Sequence, residues 1–251
     1  MVEKRIIPCL DTKDGMLVKG INFVGLQKVG DPVQFGKKYA DEGADELTYL
    51  DISASLEGRK TFTELVTQIA RQIDIPFTVG GGISTLEDAG RLLDAGANKI
   101  SINTAAVLNP GLIDQIAARY GNQIVVAAID AKQMDGKWVV VTHGGERETD
   151  KEFYAWAKEV QERGAGEILF TSMDHDGTKN GYPCETYAQL KEVVSIPVIA
   201  SGGAGSIAHI AQVLTEGKAD AALAASIFHY GEIDIPTLKR ALHQLNIPVR
   251  L

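Results

Sequence analysis

The sequence is poor in cysteine. Cys9 and Cys184 are its only two, with no spacing that could hold a metal, so no metal site or disulfide framework is expected and two free thiols suit a reducing compartment. No apolar run approaches the roughly 20 residues that a membrane-spanning helix needs. Positive charge is also scarce: the net charge of −8 argues against a nucleic-acid surface, which would normally be basic, although local basic pockets for phosphate stay open. No Gly-x-Gly-x-x-Gly follows the first predicted strand with an acid about twenty residues on, which disfavours a Rossmann dinucleotide site. There is no low-complexity segment or linker. Met1-Val2-Glu3-Lys4-Arg5 leads directly into an apolar strand too short for a secretory signal, so a cytoplasmic location is expected. With 45% hydrophobic and 23% charged residues over 251 positions, the composition is that of a globular protein.

What is present is a repeat. Gly43-Ala44-Asp45-Glu46-Leu47 aligns with Gly164-Ala165-Gly166-Glu167-Ile168. The same offset carries Ile75-Pro76 onto Ile196-Pro197, Gly81-Gly82 onto Gly202-Gly203, Gly96 onto Gly217 and Ala105 onto Ser226. A slightly shorter offset sets Ile7-Pro8-Cys9-Leu10-Asp11 over Val126-Ala127-Ala128-Ile129-Asp130. Two half-length units, residues 1–121 and 122–251, are expected to join into one closed domain.

Short runs rich in Ile, Val and Leu predict strands near Ile6–Asp11, Glu46–Asp51, Pro76–Val79, Lys99–Asn103, Ile124–Asp130, Glu167–Thr171, Val198–Ala200 and Ala221–Ala224. A helical pattern follows each. Continuous apolar strands alternating with helices point to an α/β fold with buried parallel strands, and eight such units predict a (β/α)8 barrel. Thr61-x-x-Glu64, Ser84-x-x-Glu87 and Thr149-x-x-Glu152 read as capping boxes, and Asn109-Pro110 as a cap followed by a first-turn proline. Asp135-Gly136 predicts a hairpin within an insertion at Lys132–His143, and Asp14-Gly15 lies in a matching insertion at Lys13–Gly30.

In such a barrel the chemistry belongs at the C-terminal strand ends. Asp11 and Asp130 each close an apolar strand; either alone would suit a helix cap, but their recurrence in both halves favours an acid/base pair. Gly80-Gly81-Gly82 and Ser201-Gly202-Gly203 each precede a helix start, where glycine admits a phosphate to backbone N–H groups. Asn103-Thr104 and Ala224-Ala225-Ser226 accompany them, and Asp176-Gly177-Thr178 adds donors to the second grip. Two grips across one mouth imply a long bisphosphorylated small molecule. Lys19, in the first insertion, is a candidate partner for phosphate or developing negative charge. At the opposite face Arg5, Glu46, Lys99 and Glu167 begin strands one, two, four and six, and read as an ion-pair ring.

Arg5-Ile-Ile-Pro-Cys-Leu-Asp11, Phe77-Thr-Val-Gly-Gly-Gly-Ile83, Lys99-Ile-Ser-Ile-Asn-Thr-Ala105, Asp174-His-Asp-Gly-Thr178 and Ile199-Ala-Ser-Gly-Gly-Ala-Gly205 together resemble the cyclase subunit of imidazole glycerol phosphate synthase, a histidine-biosynthesis family. The resemblance spans about Lys4 to Leu251. It implies a lyase without cofactor that takes ammonia from a glutaminase partner docked at the N-terminal barrel face. Ammonia would attack phosphoribulosyl-formimino carboxamide ribonucleotide, giving imidazole glycerol phosphate and aminoimidazole carboxamide ribonucleotide.

By the same resemblance Asp130 serves ammonia addition and cleavage, Asp11 serves ring closure, and Lys19 binds substrate. Gly82, Asn103 and Thr104 hold one phosphate; Asp176, Gly177, Gly203 and Ser226 hold the other. Arg5, Glu46, Lys99 and Glu167 become an ammonia gate, and Thr78 and Ser201 line a polar channel beyond it. Asn98, Met16, His175 and Asp150 depart from the family pattern, Asn98 where an aspartate usually faces the glutaminase. The nearest alternative is the sister barrel that isomerises the preceding aminoaldose bisphosphate. Cys9, the run Lys99–Ala105 and the first-loop sequence Val18-Lys19-Gly20-Ile21-Asn22 favour the cyclase. A non-catalytic phosphate-binding subunit is a further alternative.

Overall fold

The computed structural model describes residues 2–21, 24–52 and 56–251, and the side chains of residues 19–27 and 53–61 lie outside that description. The first half runs β1 (Arg5–Lys13), β2 (Met16–Ile21), β3 (Val24–Gly30), α1 (Pro32–Asp41), β4 (Leu47–Asp51), α2 (Leu56–Ala70), β5 (Phe77–Gly80), α3 (Leu86–Asp94), β6 (Lys99–Ile102), α4 (Thr104–Leu108) and α5 (Gly111–Tyr120). The second runs β7 (Val125–Met134), β8 (Lys137–Thr142), β9 (Arg147–Glu152), α6 (Phe153–Glu162), β10 (Glu167–Ser172), α7 (Cys184–Val193), β11 (Val198–Ser201), α8 (Ile207–Thr215), β12 (Ala221–Ala224), α9 (Ser226–His229) and α10 (Ile235–Gln244). Strands β1, β4, β5, β6, β7, β10, β11 and β12 pair in parallel, and β7 joining β10 closes the ring. The expected (β/α)8 barrel is the fold.

Period-two alternation sorts the side chains. On β1, Arg5, Ile7, Cys9 and Asp11 share one face; on β7, Val126, Ala128 and Asp130 do; on β10, Glu167, Leu169 and Thr171 do. Ile7, Cys9, Val126, Leu169, Ile199, Ala221 and Leu223 form a compact interior cluster, separate from the large core between strands and helices. The barrel is therefore layered, with charges at the N-terminal end, a middle that contains this apolar cluster and acids at the C-terminal mouth. Thr48, Thr78 and Ser101 are buried on the same inward faces, so hydroxyl groups accompany the apolar cluster along the interior.

Both insertions are antiparallel hairpins springing from β1 and β7. Asp14 and Gly15 have φ of 50° and 76°, Asp135 and Gly136 of 49° and 77°. Two consecutive left-handed residues are what a two-residue hairpin turn requires, and Asp-Gly tolerates them.

The cap expectations need correction. Thr61 lies inside α2 rather than at its start. At α3 the box is one residue later: Thr85 accepts from Asp88 N, while Asp88 reaches back to Thr85 N. Thr149 belongs to β9, where its hydroxyl donates to Val140 O at 2.8 Å; the free edge of β8 recruits this segment, and Glu152 then caps α6 by accepting from Ala155 N. Before α5, Pro110 rather than Asn109 occupies the cap position, with no side-chain cap bond.

Candidate active site

Ring order fixes the layout of the mouth. β1 and β7 lie opposite each other, as do β5 and β11, so the axis joining Asp11 and Asp130 crosses the axis joining the two glycine loops. Gly81 and Gly82 have φ of 98° and 64°; Gly202 and Gly203 have 86° and 119°. A Cβ on Gly81 would lie 1.9 Å from Asp51 O, and one on Gly202 would lie 2.5 Å from the equivalent Ser172 O. Each loop turns tightly over the end of the preceding barrel strand and feeds a helix capped by Thr85 or Ser206. The backbone is thus repeated as well as the letters.

The repeat slips by one residue after α8. Asn103 (φ −125°, ψ −93°) and Ala225 (φ −123°, ψ −73°) occupy equivalent caps, so Thr104, rather than Ala105, corresponds to Ser226. An extra residue in the α8–β12 turn causes the slip: the left-handed position of Gly96 is taken there by Lys218, not by Gly217.

Asp11 is buried at the end of its strand face, with the Cys9 thiol 3.9 Å from Oδ1. Asp130 accepts a 2.8 Å hydrogen bond from Asn103 Nδ2, and the Thr171 side chain, on the neighbouring β10, bonds to it too. Burial raises the Asp130 carboxyl to about 6; nearby Asp176 pushes the same way, while the bonds from Asn103 and Thr171 oppose it. Asn103 Oδ1 is buried and has no partner among the described residues. Asn103 thereby connects the first glycine-loop side of the mouth to an acid, whereas the sequence suggested only phosphate binding. Thr171 was missed, yet counting in steps of two from Glu167 along β10 would have found it.

The second glycine turn is stitched together by backbone. Asp176 N donates to Ser172 O at 2.9 Å, Gly177 adopts φ 73°, and Gly181 N donates to Gly203 O at 2.9 Å. Ser226 opens α9, after the strand β12 that pairs with β11. A Cβ on Gly203 would sit 2.1 Å from Gly181 O. Gly203→Ala is therefore expected to add backbone strain of about 1–3 kcal/mol and to open this turn, read as a lower urea midpoint and, if the turn holds a phosphate, a raised KM with kcat less affected. The β7–β8–β9 insertion closes over the other side: His143 N donates to Thr104 Oγ1 at 3.1 Å, and Gln133 N to Asp174 Oδ2 at 2.8 Å. Lys19 lies on β2, but its side chain falls outside the described residues.

At the other end of the barrel, Arg5 and Lys99 each bridge both Glu46 and Glu167. Arg5 meets Glu46 at 2.9 Å and also pairs with Glu167, and Lys99 meets each glutamate at 2.9 Å. Burial works against the Arg5 charge, but the two carboxylates outweigh it and hold the guanidinium above its ordinary range. Thr78 donates to Glu46 Oε1 at 2.7 Å and so belongs to this ring. Ser201 is buried at the far end of β11, its backbone bracketed by the Tyr187 hydroxyl.

Asn98, His175, Met16 and Asp150, which the resemblance singled out, sit in ordinary structural settings. Asn98 Oδ1 accepts from Phe77 N at 2.9 Å, just as Asp220 accepts from Val198 N and Asp45 from Ile6 N. His175 pairs with Ser172 through a 2.7 Å contact. Met16 faces Lys13 across the first hairpin, and Asp150 is exposed on β9.

A closed barrel with duplicated glycine turns and an acid on each of two opposed strands defines the class: a barrel enzyme of the histidine biosynthesis protein family, whose model matches residues 5–234. Full-length relatives are more specific. The chain is 60% identical over 251 residues to imidazole glycerol phosphate synthase subunit HisF of Phocaeicola vulgatus, covering all of both chains. It is 62% identical over 250 residues to the protein of that name from Bacteroides thetaiotaomicron and 58% identical over 251 residues to that from Flavobacterium johnsoniae, again with complete coverage of both. The chain belongs to the imidazole glycerol phosphate synthase subunit HisF family, and membership of a synthase as one of its subunits implies a partner. Among the described residues no helix is long and apolar enough to cross a membrane.

Proposed function

We propose that the chain is the ammonia-dependent cyclase of its synthase, converting phosphoribulosyl-formimino carboxamide ribonucleotide into imidazole glycerol phosphate and aminoimidazole carboxamide ribonucleotide. The observation that carries this reading is the Asp130 carboxyl, aimed by Asn103 and Thr171 and poised near pH 6, opposite Asp11 and between two glycine turns. A carboxyl titrating there can take a proton from the adding nitrogen and return it to the departing one. Asp11, on the opposite strand, is assigned to the proton transfers of ring closure. Gly82, Asn103 and Thr104 grip one phosphate, and Asp176, Gly177, Gly203 and Ser226 the other. Lys19 is assigned to substrate, and the halves 1–121 and 122–251 are read as two copies within one domain.

Arg5, Glu46, Lys99, Glu167 and Thr78 form the entrance gate, with a glutaminase partner docked on that N-terminal face. Neutral ammonia, unlike ammonium, loses little on entering an interior that offers an apolar cluster and a few hydroxyls but, among the described residues, no charge between the ring and the mouth acids, so this layer would select the reactive species. Ser201 lies at the mouth end of that route. The lone chain, given the ketose bisphosphate and ammonium salt at alkaline pH, is expected to form the imidazole product without any partner. A folded chain that forms none, or that only isomerises the preceding aldose, would sink the reading. A non-catalytic role predicts instead that Asp11→Asn and Asp130→Asn leave activity unchanged.

A further inference from the structure

Beside the mouth, and sharing none of the residues assigned above, a cleft of about 390 Å³ opens between the β7–β8 hairpin and the starts of α6 and α7. Its two walls differ in polarity. The hairpin wall presents donors: the Lys137 ammonium, the Gln133 side-chain amide and the Trp138 indole N–H. The helix wall presents the carboxylates of Glu152 and Glu185. Among the described residues the Trp138 indole N–H has no protein acceptor, and it is not one of the buried unpaired polar atoms, so it reaches solvent; Lys137 and Glu185 have no ion-pair partner.

Glutamates in the first turn of a helix complement its dipole, and Glu152 spends one oxygen capping Ala155 N. That accounts for the acids but not for a solvent-reaching indole donor among the residues that line the same cleft. Tyr154 donates to Gln189 Oε1 at 2.8 Å, which leaves the Gln189 amide as a further donor.

We propose that this cleft binds a free basic α-amino acid. Its carboxylate would bond to the Trp138 N–H and Lys137, and its two cationic groups would face Glu152 and Glu185. One ammonium against two carboxylates leaves the cleft net negative, which favours a ligand of net positive charge over a neutral one. Occupancy reaches the mouth through Gln133, which lines the cleft, donates its backbone N–H to Asp174 and lies three residues beyond Asp130 on β7. This inference does not depend on the cyclase reading, and its test does not use turnover.

The chain has two tryptophans, so two indole N–H signals report in a nitrogen-15 spectrum, and Trp138→Phe assigns them. L-lysine is expected to move the Trp138 indole signal and the Gln133 backbone amide saturably. Cadaverine, which lacks the carboxylate, is expected to leave the indole signal in place. Lys137→Ala and Glu185→Gln alter exposed side chains and are each expected to weaken L-lysine binding about tenfold. No saturable indole shift with L-lysine at millimolar concentration, or an equal shift in both variants, would overturn the proposal.

Discussion

Asp130→Asn is expected to lower ammonium-dependent turnover by about 10²–10⁴-fold while making the protein more stable above pH 6. The replacement keeps the shape and the oxygen that accepts from Asn103 Nδ2. It removes the proton chemistry, so kcat should collapse with KM little changed. The stability gain follows from the raised carboxyl, which titrates at about 6 in the folded chain against roughly 3.9 unfolded. The folded state holds the proton more tightly, so this favourable contribution is complete below about pH 4 and disappears as pH rises through 6. Asparagine never ionises and escapes the loss. Because Asp130 keeps part of its surface in solvent, the gain at pH 8 should be roughly 1–3 kcal/mol, vanishing below pH 4. Urea melts at both pH values check it. A variant equally stable and equally active at pH 8 would remove Asp130 from both roles.

The second large effect is expected at the opposite end. Glu46→Ala leaves Arg5 and Lys99 sharing Glu167 alone and strips the Thr78 hydroxyl of its acceptor. Removing one partner from a buried ion-pair network costs about 3–5 kcal/mol, a large share of a typical domain's total stability. Thermal and urea unfolding should both shift accordingly. Lys99→Ala is milder, since Arg5 still bridges both glutamates, and it serves for the functional test. With the partner subunit present, glutamine-dependent turnover should fall about tenfold or more while turnover on added ammonium changes little. Equal losses in the two assays would return the ring to a purely structural role.

Much of this architecture is legible one residue at a time. Strands that read Ile-Ile-Pro-Cys-Leu and Val-Val-Ala-Ala-Ile could only be buried on both faces, and Asp-Gly could only turn tightly. The helix caps were less legible, because several Ser, Thr and acid positions compete at each start. At α3 the chain chose Thr85 over Ser84, and at Thr149 the open edge of β8 outweighed a local capping pattern. Tertiary pairing decided both.

By itself the sequence determined the alternation of strand and helix, the duplication, the glycine turns with their left-handed backbone, and the acids Asp11 and Asp130 on β1 and β7. Each is a local property of side-chain size, periodicity or backbone freedom. Tertiary structure alone decided that Thr104 matches Ser226, that Asn103 and Thr171 converge on Asp130, and that Arg5 and Lys99 each bridge the same two glutamates. Those facts depend on the register in which distant strands meet, and only closure of the barrel fixes that register. The raised Asp130 carboxyl arises in the same way, from burial and neighbours that the chain brings together only when β7 pairs with β10.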